Sequence, residues 1–100
     1  MTTDPYFRMV VEDVFSIAKR GTVVTGKIES GSVSVGDEVA INGKNGEKKT
    51  VVTGIEAFRK TLKQANTGDT VGILLKDIAK QEIQRGDVIL SPGLDFTWKT

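Results

Sequence analysis

Residues 12–31 read Glu12-Asp13-Val14-Phe15-Ser16-Ile17-Ala18-Lys19-Arg20-Gly21-Thr22-Val23-Val24-Thr25-Gly26-Lys27-Ile28-Glu29-Ser30-Gly31. The apolar positions are β-branched or aromatic and follow no helical period, so the stretch reads as strand, turn, strand. Lys19-Arg20-Gly21 forms the turn, and Thr22 begins the second arm. Paired carboxylates and an aromatic on the first arm, with two bases at the turn, mark this hairpin as the place to look for a ligand.

Working outward, residues 7–15 read as a single strand upstream of the turn, because Met9, Val10, Val11 and Val14 are too β-branched for a helix stripe. Residues 1–5 end in Asp4-Pro5 and suit a linker. Downstream, residues 33–35 form a short connection, and Val39 and Ile41 alternate with Ala40 and Asn42 in a third strand. Residues 42–47, rich in glycine and asparagine, form a hairpin loop before a fourth strand over 48–58. Residues 61–68 are polar and suit an irregular turn. A fifth strand over 70–76 sets Val71, Ile73 and Leu75 on one face and Gly72 and Leu74 on the other. One short helical turn is expected near 78–83. The last strand covers 88–91 and is stopped by Pro92-Gly93, leaving 94–100 as a tail and 6–93 as the domain.

Two echoes support this division. Gly-Asp precedes a strand at Gly36-Asp37, Gly68-Asp69 and Gly86-Asp87; glycine supplies an unusual backbone angle, and aspartate bonds nearby amides, so each pair is a turn that leads into a strand. Thr-Val-Val-Thr-Gly occurs at 22–26 and again at 50–54. Their unequal spacing excludes a solenoid. Several short strands with frequent turns predict an all-β fold, a small closed antiparallel β-barrel, whose closure removes exposed sheet edges.

Composition narrows function. The 100 residues suit one domain, and the net charge of +1 lacks the excess that non-specific nucleic-acid binding requires. Absence of cysteine and histidine removes disulfides, thiolate and imidazole catalysis and the usual zinc sites. No apolar run approaches the ~18 residues of a membrane helix, and the reading is a cytoplasmic protein with no membrane partner. No Gly-x-x-x-x-Gly-Lys-[Ser/Thr] phosphate loop is present, so the stretch carries no nucleotide-hydrolysing machinery.

Glu12 and Asp13 are adjacent, and adjacent strand residues face opposite ways, which argues against a catalytic acid pair and for one carboxylate in solvent with the other bonded at a rim. Lys19-Arg20-Gly21 suits either a phosphate grip or a solvated turn. Glu56-Ala57-Phe58-Arg59-Lys60 ends a strand with an acid, an aromatic and two bases.

Taken together, Glu12 to Ile17, Arg20 to Gly26, Gly54 to Lys60, Val71 to Leu75 and Glu82 to Gly86 resemble domain 2 of translation elongation factor Tu, in order and with near-identical spacing over about 7–93. The resemblance implies a barrel of about six strands, without enzymatic activity, that holds the aminoacylated 3′ end of transfer RNA. It implies an apolar wall for the terminal adenine from Ile17, Val23 and Leu74, with Glu56 closing the other side and bonding the ribose hydroxyl. The backbone around Phe58, Arg59 and Thr70 would meet the aminoacyl ester and amino group, and Glu12, Asp13, Phe15 and Thr25 would shape the space for the amino-acid side chain. Aminoacyl-tRNA, a translational GTPase domain and the ribosome are the implied partners. GTP and magnesium would belong to that GTPase domain, with no cofactor and no metal in this chain. Three positions depart from the family pattern: Lys19 and Ala57, where glycine and methionine are common, and Thr70, where asparagine is common. The alternative is an interaction module that docks a GTPase domain or the ribosome through Lys48, Lys49, Lys60 and Lys63, its pocket vestigial.

Overall fold

A computed structural model describes residues 6–44, 46–57 and 59–91. The expected linker 1–5, the tail 94–100 and Phe58 lie outside them. The described residues form ten strands, β1 (Arg8–Val10), β2 (Asp13–Ile17), β3 (Gly21–Ser30), β4 (Ser32–Ser34), β5 (Glu38–Gly43), β6 (Gly46–Ala57), β7 (Lys60–Leu62), β8 (Gln64–Asn66), β9 (Thr70–Leu75) and β10 (Val88–Leu90), with a 3-10 turn at Lys80–Glu82.

Six of these strands close an antiparallel ring in the order β1, β10, β5, β6, β9, β3 and back to β1. Each ring strand sends at least one large residue to the centre, among them Met9, Ile89, Ile41, Ile55, Ile73 and Ile28, none more than 2% exposed. Burying such a side chain contributes roughly 1.5–3 kcal/mol, so these six positions alone outweigh any surface contact in the molecule. The expected all-β barrel and the helical turn are both present.

The first strand predicted from sequence is two strands. Val11 is buried, and its backbone bonds the turn before β10, with its N–H donating to Asp87 O at 2.9 Å and its carbonyl accepting from Gly86 N at 2.9 Å. That detour leaves β1 inside the ring, against the Ile28 to Ser30 end of β3, and sends β2 outside it, against Gly21 to Thr25. At the fork a Cβ on Gly26 would collide with the Val10 carbonyl oxygen, so glycine is required for this close approach.

Residues 33–35, expected as a connection, and 61–68, expected as an irregular turn, supply β4 and β8, which pair with each other and bury Val33 and Ala65. Segments of three residues are too short to show a period of two, which is why the pattern stayed hidden. The loop expected over 42–47 is tighter than expected, since pairing continues to Gly43 opposite Gly46.

The three Gly-Asp pairs share one geometry. In each, the aspartate N–H donates to the carbonyl three residues earlier, at 3.0–3.1 Å, and its carboxylate accepts from that same residue's N–H, at 2.8–2.9 Å, the partners being Ser34, Asn66 and Gln84. The preceding glycines have φ of 99°, 92° and 92°, the positive value needed at the third position of such a turn. The Thr-Val-Val-Thr-Gly echo is also structural. Its two copies flank β9 on either side, and the first threonine of each holds the chain where it leaves β9: Thr22 Oγ1 donates to Ile78 O and Thr50 Oγ1 to Lys76 O.

Candidate functional site

The outer faces of β3, β9 and β6 form the floor and sides of an open slot of about 600 Å³. Strand register assembles it. Thr25 stands opposite Gly72, and Gly72 opposite Glu56, while Val23 stands opposite Leu74 and Leu74 opposite Gly54. Because β9 has no side chain at Gly72, a gap opens between Thr25 and Glu56. A Cβ there would lie 3.3 Å from Val23 Cγ1 and 3.7 Å from Thr25 Cγ2. The slot exists because that atom is absent.

Val23, Thr25, Glu56, Ala57, Arg59, Thr70, Val71 and Gly72 line it. Its surface is mostly apolar, with one carboxylate and one guanidinium among the lining residues. Such a slot can hold a flat ring against Val23 and offer Glu56 as hydrogen-bond acceptor to a hydroxyl at the edge. Arg59 sits in the two-residue turn between β6 and β7 with φ of 73°, a left-handed backbone uncommon for a residue with a side chain.

Five of the residues expected from sequence meet in the slot: Val23, Thr25, Glu56, Arg59 and Thr70. Leu74 is on the same outer face beside Val23, but it is only 4% exposed and lies beneath the surface. Phe15 and Ile17 are on β2, outside the lining; Phe15 pairs with Val23 and is 49% exposed, and Ile17 pairs with Gly21 and is 37% exposed. Glu12 is exposed and precedes β2, with its N–H donating to Thr25 O at 2.7 Å. Asp13 Oδ1 accepts from Arg85 Nη2 at 3.1 Å. The two carboxylates therefore divide as expected, one in solvent and one bonded at the rim. Ala57, Val71 and Gly72 are lining residues that sequence reasoning missed. A lone glycine inside an apolar strand was the available signal for Gly72.

The turn residues of the first hairpin also have a defined place. Arg20 N donates to Ile17 O at 3.0 Å, Lys19 has φ of 67° and Gly21 φ of 108°. From that turn Arg20 reaches across β9, its Nη2 2.8 Å from Glu56 Oε2, and both side chains remain partly exposed. A second, more polar cleft is lined by Arg20, Thr53, Lys76, Asp77 and Glu82.

Among the described residues, no group of three or more acidic, cysteine or histidine side chains is arranged to hold a metal ion, and no helix is long and apolar enough to cross a membrane. Residues 21–90 match the family model described as elongation factor Tu domain 2, a span that includes every lining residue of the slot.

Proposed function

The chain belongs to the elongation factor Tu domain 2 family, and from that premise we propose that its outer slot receives the aminoacylated 3′ end of transfer RNA within a GTP-binding translation factor. The observation that carries the reading is the gap at Gly72, bounded by Val23 and Thr25 on one side and by Glu56 on the other. A base is planar and apolar on its faces, and its ribose ends in hydroxyls; an apolar gap with one acid at its lip suits both parts. Thr70 and Arg59 lie at the end of the slot where an aminoacyl group would extend. The domain acts by binding, and GTP with its magnesium would be handled by a separate GTPase domain.

The slot is open on its outer side, and the exposed Phe15 and Ile17 beside it offer apolar area to a neighbouring domain. We assign that neighbour to the translational GTPase domain, which would complete the pocket, and the larger assembly to the ribosome. The barrel alone then binds weakly, at ~mM, equivalent to ~4 kcal/mol.

The test is an NMR titration of the barrel with a short aminoacyl-tRNA mimic, an RNA ending in cytidine-cytidine-adenosine and carrying an amide-linked amino acid. Amide signals of Val23, Thr25, Glu56, Thr70 and Gly72 are expected to move, and Glu56→Ala to weaken binding by ~1–3 kcal/mol through the lost hydrogen bond. Spectra unchanged at millimolar ligand would refute the reading. Shifts confined to Lys48, Lys49, Lys60 and Lys63 would favour docking through the lysine surface instead.

A further inference from the structure

We propose that Arg20 is a positioning residue that fixes the Glu56 carboxylate at the lip of the slot and so gives the site its discrimination for a ribose hydroxyl; this rests on the reading of the slot as a site for an RNA end. Arg20 lies in the turn that leads into β3 and Glu56 lies on β6, with β9 between those strands, and their contact at 2.8 Å is the one ion pair that spans the outer face at the slot among the described residues. Exposed pairs of this kind contribute only ~0–1 kcal/mol to folding, so stability does not explain the arrangement. Geometry does.

The backbone is shaped to deliver the guanidinium. Lys19 occupies a left-handed conformation that costs a side-chain-bearing residue ~1 kcal/mol or more, Gly21 follows with φ of 108°, and Arg20 N is tied back to Ile17 O. Between them these constraints bend the turn so that Arg20 lies over the sheet. Glu56 in turn lies directly across from Gly72, whose missing side chain leaves its flexible chain without a lateral stop on that side. A glutamate with three rotatable bonds and an open gap beside it samples several rotamers. Arg20 engages Oε2 and fixes the side chain, so that a ligand hydroxyl meets an acceptor already in place. Without Arg20, ordering the carboxylate falls to the ligand, and the hydroxyl loses most of its advantage.

Two measurements separate this inference from the reading beneath it. The first needs no ligand: side-chain three-bond couplings of Glu56 report one dominant rotamer in the native protein and averaging in Arg20→Gln, with partial recovery in Arg20→Lys. The second compares the amide-linked aminoacyl cytidine-cytidine-adenosine with its 2′-deoxy counterpart. Native protein is expected to prefer the ribose form by about tenfold, equivalent to ~1.4 kcal/mol, and Arg20→Gln to bring that ratio near one while leaving the affinity for the deoxy form nearly unchanged. Equal rotamer order in native and Arg20→Gln protein, or an unchanged ratio, overturns the role given to Arg20. A fixed Glu56 in a native protein that binds neither probe overturns the RNA-end reading and leaves the positioning intact. Loss of both affinities in parallel marks a merely structural effect and also overturns the proposal.

Discussion

Replacing Gly72 with alanine separates the stability of the barrel from the function of its slot. The new methyl carbon would lie 3.3 Å from Val23 Cγ1, 3.7 Å from Thr25 Cγ2 and 3.9 Å from the Glu56 carbonyl oxygen. Only the first contact is tight, and it is with a side chain, which must yield by a few tenths of an ångström. That strain is opposed by the entropy that alanine removes from the unfolded chain, ~0.4–1 kcal/mol. Folding stability should therefore stay within ~1 kcal/mol of the native value, measured by urea denaturation. Binding should not survive so well, because the methyl group occupies the gap in which a base would rest. Forcing an extra methyl group into a filled site costs ~1–3 kcal/mol, so affinity for an aminoacylated cytidine-cytidine-adenosine should fall by about 5- to 150-fold in an NMR titration. A variant that titrates like the native protein would refute the placement of the ligand at Gly72. Stability lower by more than ~2 kcal/mol would refute the claim that the gap is free space on the outer face and not part of the packed interior.

Other substitutions probe the scaffold. Thr22→Val keeps the shape of a residue only 2% exposed but removes its bond to Ile78 O, and should cost ~1–3 kcal/mol in urea denaturation by leaving a buried carbonyl unsatisfied. Gly43→Ala would drive a Cβ into the Asp87 carboxylate, which is 4% exposed and accepts from Gln84 N at 2.9 Å; a loss of ~1–3 kcal/mol is expected. Lys19→Gly should relieve the left-handed strain at φ of 67° and, after the entropy that glycine adds to the unfolded chain, stabilise by up to ~1 kcal/mol, seen as a higher thermal midpoint.

Much of the barrel was legible because its signals are local. A glycine before an aspartate specifies a turn within four residues, and alternation along β9 separates Ile73 from Leu74 without reference to any other strand. The departure at residue 19 also acquires a physical meaning: Lys19 adopts a left-handed backbone at a cost that the glycine implied by the resemblance would not bear. The slot was less legible because it depends on register. Thr25, Gly72 and Glu56 are far apart in the chain, and only the pairing of β9 with both neighbours puts them in one row. The family resemblance identified Val23, Thr25, Glu56, Arg59 and Thr70; composition and period alone did not. Neither route found the split between β1 and β2, because it is decided by backbone bonds from Val11 to the turn at Gly86 and Asp87, which leave no mark on hydrophobic periodicity.

The ring is sewn shut by β1, which pairs with β10 on one side and β3 on the other. Hairpins such as β2 with β3, or β5 with β6, need only neighbouring residues and can form while the chain is still being made. The seam cannot: Arg8 waits for Leu90, so residues 8–90 must all be made before β1 finds its place. Until then β5 lacks its β10 partner and offers an open edge to other chains. Closure of the barrel is therefore a long-range event, made only when residues 8–10 meet residues 88–90.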